Sequence, residues 1–341
     1  MGKISKLIPV LSRIVMFIGI IMVFMTTNFK SEAAMGVDDI AQIDQTMTSV
    51  TVELHPNLVK QVKTIRYGIC EITKGMETIK AADAADAQAN SKNGISCKLS
   101  GNTYTFNNLK PGTSYYICFG YNDYKHDTFR HMITTLPDKP TGVKAYAYST
   151  ISTTLKVDYR SGVNEYKYSI YNAEDELVDK GRVGNNTYAG TVDFYTKYKD
   201  FPSVKKLVLT PVAEINSKDY YGESVTTYII DQPDIVRGAK KRACTLKNGK
   251  LSLSWYKVDG ATGYDIYISE NRTSGYEKAA TVKGKNDSVT IKKCHKKKIK
   301  KNKTYYVSIR PKYKKNGTTY TAHNIVVWEV TKKGSKIWRN D

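Results

Sequence analysis

Short runs in which apolar and polar residues alternate dominate this chain. Val50, Val52 and Leu54 alternate with polar neighbours in 49–54, and Ile65, Tyr67 and Ile69 do so in 64–69. Further strands read at 102–106, 142–146, 154–158, 166–170, 224–230, 251–255, 263–268, 288–291 and 324–330. Successive side chains of a strand point to opposite faces, so this pattern predicts half-buried strands. Turn residues interrupt the runs at spacings of roughly 8–12 residues, which predicts an all-β sandwich class. Two features break the pattern. The segment 73–94 is rich in Ala, Asp and Lys without a clean apolar stripe, and reads as an extended loop with at most one short helix. Pro211 and Pro311 fall inside predicted strands, where a missing ladder donor predicts a bulge or an early end to pairing.

One corner recurs along the chain. Leu109-Lys110-Pro111-Gly112-Thr113-Ser114-Tyr115 is the first copy, and Ile299-Lys300-Lys301-Asn302-Lys303-Thr304-Tyr305 is the third. A worn copy ends at Leu207, and the three closing residues Tyr115, Leu207 and Tyr305 are separated by 92 and 98 residues. An apolar plug, a turn and then an aromatic opening a strand is how a sandwich crosses between its sheets, with the tyrosine hydroxyl bonded back to the turn. The spacing divides the chain into three domains, 36–136, 138–232 and 234–331, followed by a tail, 332–341. Pro137-Asp138-Lys139-Pro140 and Asp231-Gln232-Pro233-Asp234 are the expected linkers.

The first 33 residues read as a signal peptide. Lys3, Lys6 and Arg13 precede an apolar run, 14–25, and Ser31 and Ala33 form a small-x-small cleavage site. The alternative is an uncleaved membrane anchor over 14–29. The expected location is secreted or cell-surface, with membrane contact only through that segment.

Charge changes the picture most. The 341 residues carry a net +21. From Arg237 to Asp341 there are 27 Lys/Arg against 7 Asp/Glu, a net +20, whereas 34–236 hold 22 basic and 24 acidic residues, or −2. Eight lysines, Lys292, Lys293, Lys296, Lys297, Lys298, Lys300, Lys301 and Lys303, crowd around the third corner. Lysine is a hydrated point charge, suited to a diffuse polyanion. No aromatic residue interleaves the run, which argues against stacking of a single-stranded nucleic acid on it without excluding nucleic acid.

Catalytic motifs are not found. The five histidines are scattered, and His126 and His131 with Asp123 and Asp127 make the one His/Asp cluster, on an expected surface hairpin. No catalytic, cofactor-binding or metal-binding residue is nominated, no cofactor is expected, and the chain reads as a non-enzyme. Of five cysteines, Cys70 and Cys118 fall on strands expected to be neighbours, and Cys244 and Cys294 near ends of the third domain that could approach. Two disulfides are therefore the alternative to free thiols, which are the favoured reading; Cys97 has no assigned partner.

Trp255 on the strand 251–255, the Asp259-Gly260-Ala261-Thr262-Gly263-Tyr264-Asp265-Ile266-Tyr267 entry into the next strand, and the corner at Tyr305 together resemble a fibronectin type III domain. The style is similar to that of secreted proteins from Gram-positive anaerobes. The first corner resembles the family closely, while the second domain matches in strand order but lacks the hydroxyl at Leu207. The resemblance implies seven strands in two antiparallel sheets per domain and a role as spacer, adhesive surface or accessory module. Two functions are compatible with it. In the first, the basic third domain holds an anionic cell-wall polymer or glycan while the other domains act as spacers. In the second, loops and tyrosines of the first two domains bind carbohydrate or a host or self surface protein.

Overall fold

A computed structural model describes residues 40–56, 59, 65–91, 94–121, 128–149, 152–185, 191–195, 203–233, 236–237, 240–241, 244–323 and 326–339. The signal segment and its cleavage site lie outside these residues. Three times the chain lays down one two-sheet plan. In the first sandwich β1 (Ile40–Gln45), β2 (Val50–Leu54) and β5 (Thr103–Phe106) form one antiparallel sheet, and β4 (Ile95–Cys97), β3 (Ile65–Glu71), β6 (Ser114–Tyr121) and β7 (Thr128–Thr134) form the other. In the second, β8 (Lys144–Ser149), β9 (Ser152–Lys156) and β12 (Thr191–Tyr195) oppose β11 (Leu177–Gly184), β10 (Glu165–Tyr171), β13 (Val204–Ile215) and β15 (Val225–Ile230), with β14 (Lys218–Tyr221) added beside β13. In the third, β18 (Cys244–Lys247), β19 (Lys250–Ser254) and β22 (Ser288–Ile291) oppose β21 (Glu277–Lys283), β20 (Gly263–Ser269), β25 (Tyr305–Lys315) and β27 (Val326–Thr331), extended by β26 (Thr318–Thr321) and β28 (Gly334–Arg339). Counting the seven common strands of each copy, first, second and fifth pair in one sheet, and fourth, third, sixth and seventh in the other. This is the two-sheet arrangement that the resemblance implies. Short ladders join β16 (Val236–Arg237) to β17 (Lys240–Lys241), and β23 (Lys293–Cys294) to β24 (Lys297–Lys298).

Each sandwich closes over its own apolar cluster, built from the alternating positions. Val50, Val52, Phe106, Ile117 and Phe119 belong to the first, Leu155, Tyr166, Ile170 and Leu207 to the second, and Leu253, Trp255, Ile266, Tyr305 and Val307 to the third. The three corner residues Tyr115, Leu207 and Tyr305 are all buried, as is Trp255. Trp255 packs edge-on against Tyr264, their centroids 5.1 Å apart. The Tyr305 hydroxyl accepts the Lys300 backbone N–H at 2.9 Å, which is the corner bond expected from the sequence. Tyr305→Phe keeps the ring and strands that N–H, so the third sandwich should lose about 1–2 kcal/mol in denaturant unfolding. Wild-type stability of this variant would show that the bond contributes nothing.

The segment 73–94 holds the one short helix its composition allowed, docked on the sheet and not carried on an extended loop. It holds a 12-residue helix, α1 (Thr78–Ala89), that packs on the β3–β6 sheet against Cys118 and makes the first sandwich three-layered. Its contact stripe is Ala81, Ala85 and Ala89, with Ala82 beside it, all buried. Alanine is the strongest helix former and adds little apolar bulk, so the helix forms without an obvious amphipathic signature. The sheet accommodates it through glycines: a Cβ at Gly68 would stand 1.9 Å from the Ala85 carbonyl oxygen, and one at Gly120 3.3 Å from that of Ala89. Gln88 accepts the Ile69 N–H at 2.9 Å, and Arg130 reaches Asp86 at 2.7 Å.

The prolines neither bulge nor end their strands. On one side of β13 the partner is β15 up to Leu209, then β14 from Val212, and Pro211 sits in the gap between them. Pro311 occupies the same place on β25, between β27 and β26. The N–H that proline lacks falls where the ladder changes partner, and its carbonyl accepts from Gly222 or Ala322.

The first sandwich forms one compact unit, and the second and third share the other. Within that second unit the linker 231–233 is seated, not free. Val204 and Ile230 join the third sandwich's apolar cluster, Tyr228 packs against Tyr313 and Tyr320, and Gln232 donates to the His323 carbonyl at 2.9 Å. Lys205 and Asp231, 2% and 6% exposed, pair at 2.9 Å. Residues 334–339, expected as part of a tail, form β28, paired with β27 along its length.

All five cysteines are free thiols. Cys70 and Cys118 share the face beneath α1 but stand opposite Tyr116 and Gly68 in the ladder, and not opposite each other. Cys244 and Cys294 are both buried in the third core. Neither of the two alternative disulfides is formed. Among the described residues no helix is long and apolar enough to cross a membrane.

Candidate functional site: the basic end of the third sandwich

The lysine run is not a shapeless loop. Between Ile291 and the corner it folds into the β23–β24 ribbon, with Lys293 opposite Lys298 and Cys294 opposite Lys297. His295 and Lys296 turn the ribbon with φ of 49° and 62°, both in the left-handed region. Two apolar side chains, Cys294 and Ile299, anchor it in the core. The eight lysines Lys292, Lys293, Lys296, Lys297, Lys298, Lys300, Lys301 and Lys303 all point to solvent. Of these, Lys303 alone has a carboxylate partner among the described residues, Glu270 at 2.5 Å. Glu277, the other nearby carboxylate, is held by His295, whose ring nitrogen lies 3.5 Å away and whose backbone N–H also donates to it.

Three turns meet beside this ribbon and enclose a cleft of about 570 Å3. Lys247 and Asn248 come from the β18–β19 turn, Lys301 from the corner, and Lys332 and Lys333 from the β27–β28 turn. The first turn fits because Asn248 and Gly249 take φ of 52° and 67°, and a Cβ at Gly249 would stand 3.1 Å from the Ile299 oxygen. Four lysines and no carboxylate line the cleft. Lys247, Lys332 and Lys333 were not among the expected contacts, since two of them lie in the supposed tail. The signal that could find them is the pair of hairpin turns, Lys247-Asn248-Gly249-Lys250 and Thr331-Lys332-Lys333-Gly334, brought to one end by strand order.

Other candidate chemistry does not converge. His126, Asp123 and Asp127 lie outside the described residues. His131 sits on β7, where burial lowers its pKa, so it stays neutral at pH 7. Glu277, Cys294 and His295 bring three potential metal ligands within 4.8 Å, a grouping that no local spacing reveals. The surrounding lysines oppose a cation there, and burial pushes the Cys294 thiol up to about 11, with Glu277 and Glu270 adding to the rise. On the neighbouring sheet, burial raises the Asp265 carboxyl, but hydrogen bonds from Lys278, Lys312 and Thr281 outweigh it and hold it at about 2.

Comparison with known proteins adds little. No family model matches the chain, and no curated protein matches it. Among solved structures, a crystal structure of the FN1–FN3 domains of chicken CNTN1 is 15% identical over 88% of this chain and 97% of that one, with a TM-score of 0.29. A two-domain fibronectin type III segment of chicken tenascin is 14% identical over 56% of this chain and 97% of that one, with a TM-score of 0.28. Superpositions at that level carry no argument; the fold rests on the strand order repeated within the chain itself.

Proposed function

We propose that this chain is a non-enzymatic extracellular module whose third sandwich associates with an anionic wall polymer or glycan, the first and second sandwiches acting as spacer. The supporting observation is the basic end just described: seven lysines of the run without a carboxylate partner, beside a cleft lined by four lysines and no acid. Like charges held together repel and lower stability, and an anionic partner relieves them. The net charge of 34–236, −2, gives the remaining domains no such preference. The alternative, an adhesin binding through an extended 73–94 loop, loses support because much of that segment is a helix lying against its own sheet.

The test is retention of the whole chain on immobilised poly(glycerol phosphate) as salt is raised. Neutralising Lys296, Lys297, Lys298, Lys300 and Lys301 together with glutamine should weaken retention and flatten its salt dependence. By analogy with nucleic acids each lost phosphate contact lowers the log–log slope by about 0.7–0.9, less for a sparser polymer. Folding should survive or improve, since these side chains are exposed and repel one another. Retention that ignores both salt and the five substitutions would overturn the proposal.

A further inference from the structure

The outer face of the β21–β20–β25–β27–β28 sheet is not an ordinary solvated surface. Ile266, Ile268, Val307, Ile309 and Trp328 alternate into the core, which leaves Asp265, Tyr267, Tyr306, Arg310, Glu329 and Trp338 on the other side. Two arginines there are stacked on rings. The Arg310 guanidinium carbon lies 4.0 Å over Tyr267, and that of Arg272, from the β20–β21 loop, 4.8 Å over Trp338. Tyr276 links them, its hydroxyl donating to the Arg272 carbonyl at 2.8 Å and its phenolic oxygen lying within the field of both guanidinium groups. The carboxylates of the face are otherwise engaged. Asp265, opposite Arg310 in the ladder, bonds Lys278, Lys312 and Thr281, and Glu329 accepts from Trp338 at 2.7 Å and pairs with Lys336. Among the described residues neither Arg272 nor Arg310 forms a salt bridge with a carboxylate; Asp265 acts on Arg310 only at longer range, and the Arg310 Nε is buried without any hydrogen-bond partner.

Stacking fixes the plane of a guanidinium, which can fork onto an oxyanion as lysine cannot; in Arg310, whose Nε is buried, that fork falls to the two Nη groups. Two rings are already covered: Arg310 lies over Tyr267, and Arg272 and Lys336 both lie over Trp338. That removes two of the rings on which a nucleobase could stack. We propose that this face is an oxyanion-recognition site in which Arg272 and Arg310 fork onto the phosphate or carboxylate groups of an anionic glycan. The inference rests on the reading that such a polymer is the partner, and it adds a shaped site to the diffuse attraction of the lysines.

The whole chain is titrated, with tryptophan fluorescence as readout, against poly(glycerol phosphate), hyaluronate and oligo-dT. Arg272→Lys and Arg310→Lys keep the charge and remove the fork; Arg272 lies on an exposed loop, so its variant does not depend on repacking. Each should weaken binding of one or both glycan-type polymers about tenfold at unchanged salt slope. The polymer that responds identifies phosphate or carboxylate as the group bound. If both variants match wild type while a polymer still binds, this site is refuted and the lysine reading stands. If neither polymer binds wild type, both fall together. Tighter binding of oligo-dT than of either polymer, lost in the variants, would overturn the glycan assignment in favour of a nucleic acid.

Discussion

Replacing Lys205 with methionine should cost the second compact unit about 3–5 kcal/mol, far more than the surface lysines of the third sandwich. The ammonium group is 2.9 Å from Asp231, both residues are buried, and the second carboxylate oxygen has no hydrogen-bond partner. Methionine preserves the stem and leaves Asp231 as an unpaired charge beside Val204 and Ile230, where the second sandwich meets the third. Burial already lifts the Asp231 carboxyl above its ordinary range, opposed by Lys205. Without the lysine the lift grows. A carboxyl whose folded pKa is raised takes up its proton earlier in the folded state, so the variant's deficit should shrink as pH falls through that raised value toward the ordinary carboxylate range. The double variant Lys205→Met/Asp231→Leu should recover most of the loss, because apolar groups of similar size can replace a buried pair at little cost. Denaturant unfolding at neutral and mildly acidic pH checks this. A single variant as stable as wild type would mean that water reaches the pair.

Gly68→Val should dislodge α1. A Cβ there would overlap the Ala85 carbonyl at 1.9 Å and lie 2.8 Å from the Ala89 N–H, backbone atoms that cannot swing aside as a side chain could. The expected loss is about 3 kcal/mol, at the upper end for overpacking. The specific readout is chemical. Cys118, fully buried beneath the helix, should react with a thiol reagent in the folded variant and not in wild type. Unchanged protection of Cys118 together with wild-type stability would show that the helix packs differently.

These two sites mark where the sequence could and could not be read. Strand alternation and the recurring corner foretold the sandwiches, because both signals are local: Tyr305 and Lys300 are five residues apart, and Val50, Val52 and Leu54 report one face directly. Docking of α1 was not legible, since its determinants are two glycines on strands far from the helix in sequence and an alanine stripe that resembles a polar segment. Pro211 and Pro311 misled for a related reason. A proline's effect depends on which neighbour lies opposite its missing N–H, and only the partner change between β15 and β14 reveals that none does. The lysine run was evident as composition. The cleft was not, because Lys247, Lys301 and Lys332 meet only once β18, β25 and β27 are laid side by side.

The cysteines are built to stay reduced. Burial pushes the thiols of Cys97 and Cys294 up to about 11 and that of Cys244 up to about 12, and raises Cys70 as well. The thiolate is the form that attacks oxidants and disulfides, so at neutral pH these groups are nearly inert. None of the three cores is held by a cross-link, so a reductant has nothing to open, and an oxidant meets little it can close. The three sandwiches close on packing alone, with no cross-link among their five thiols.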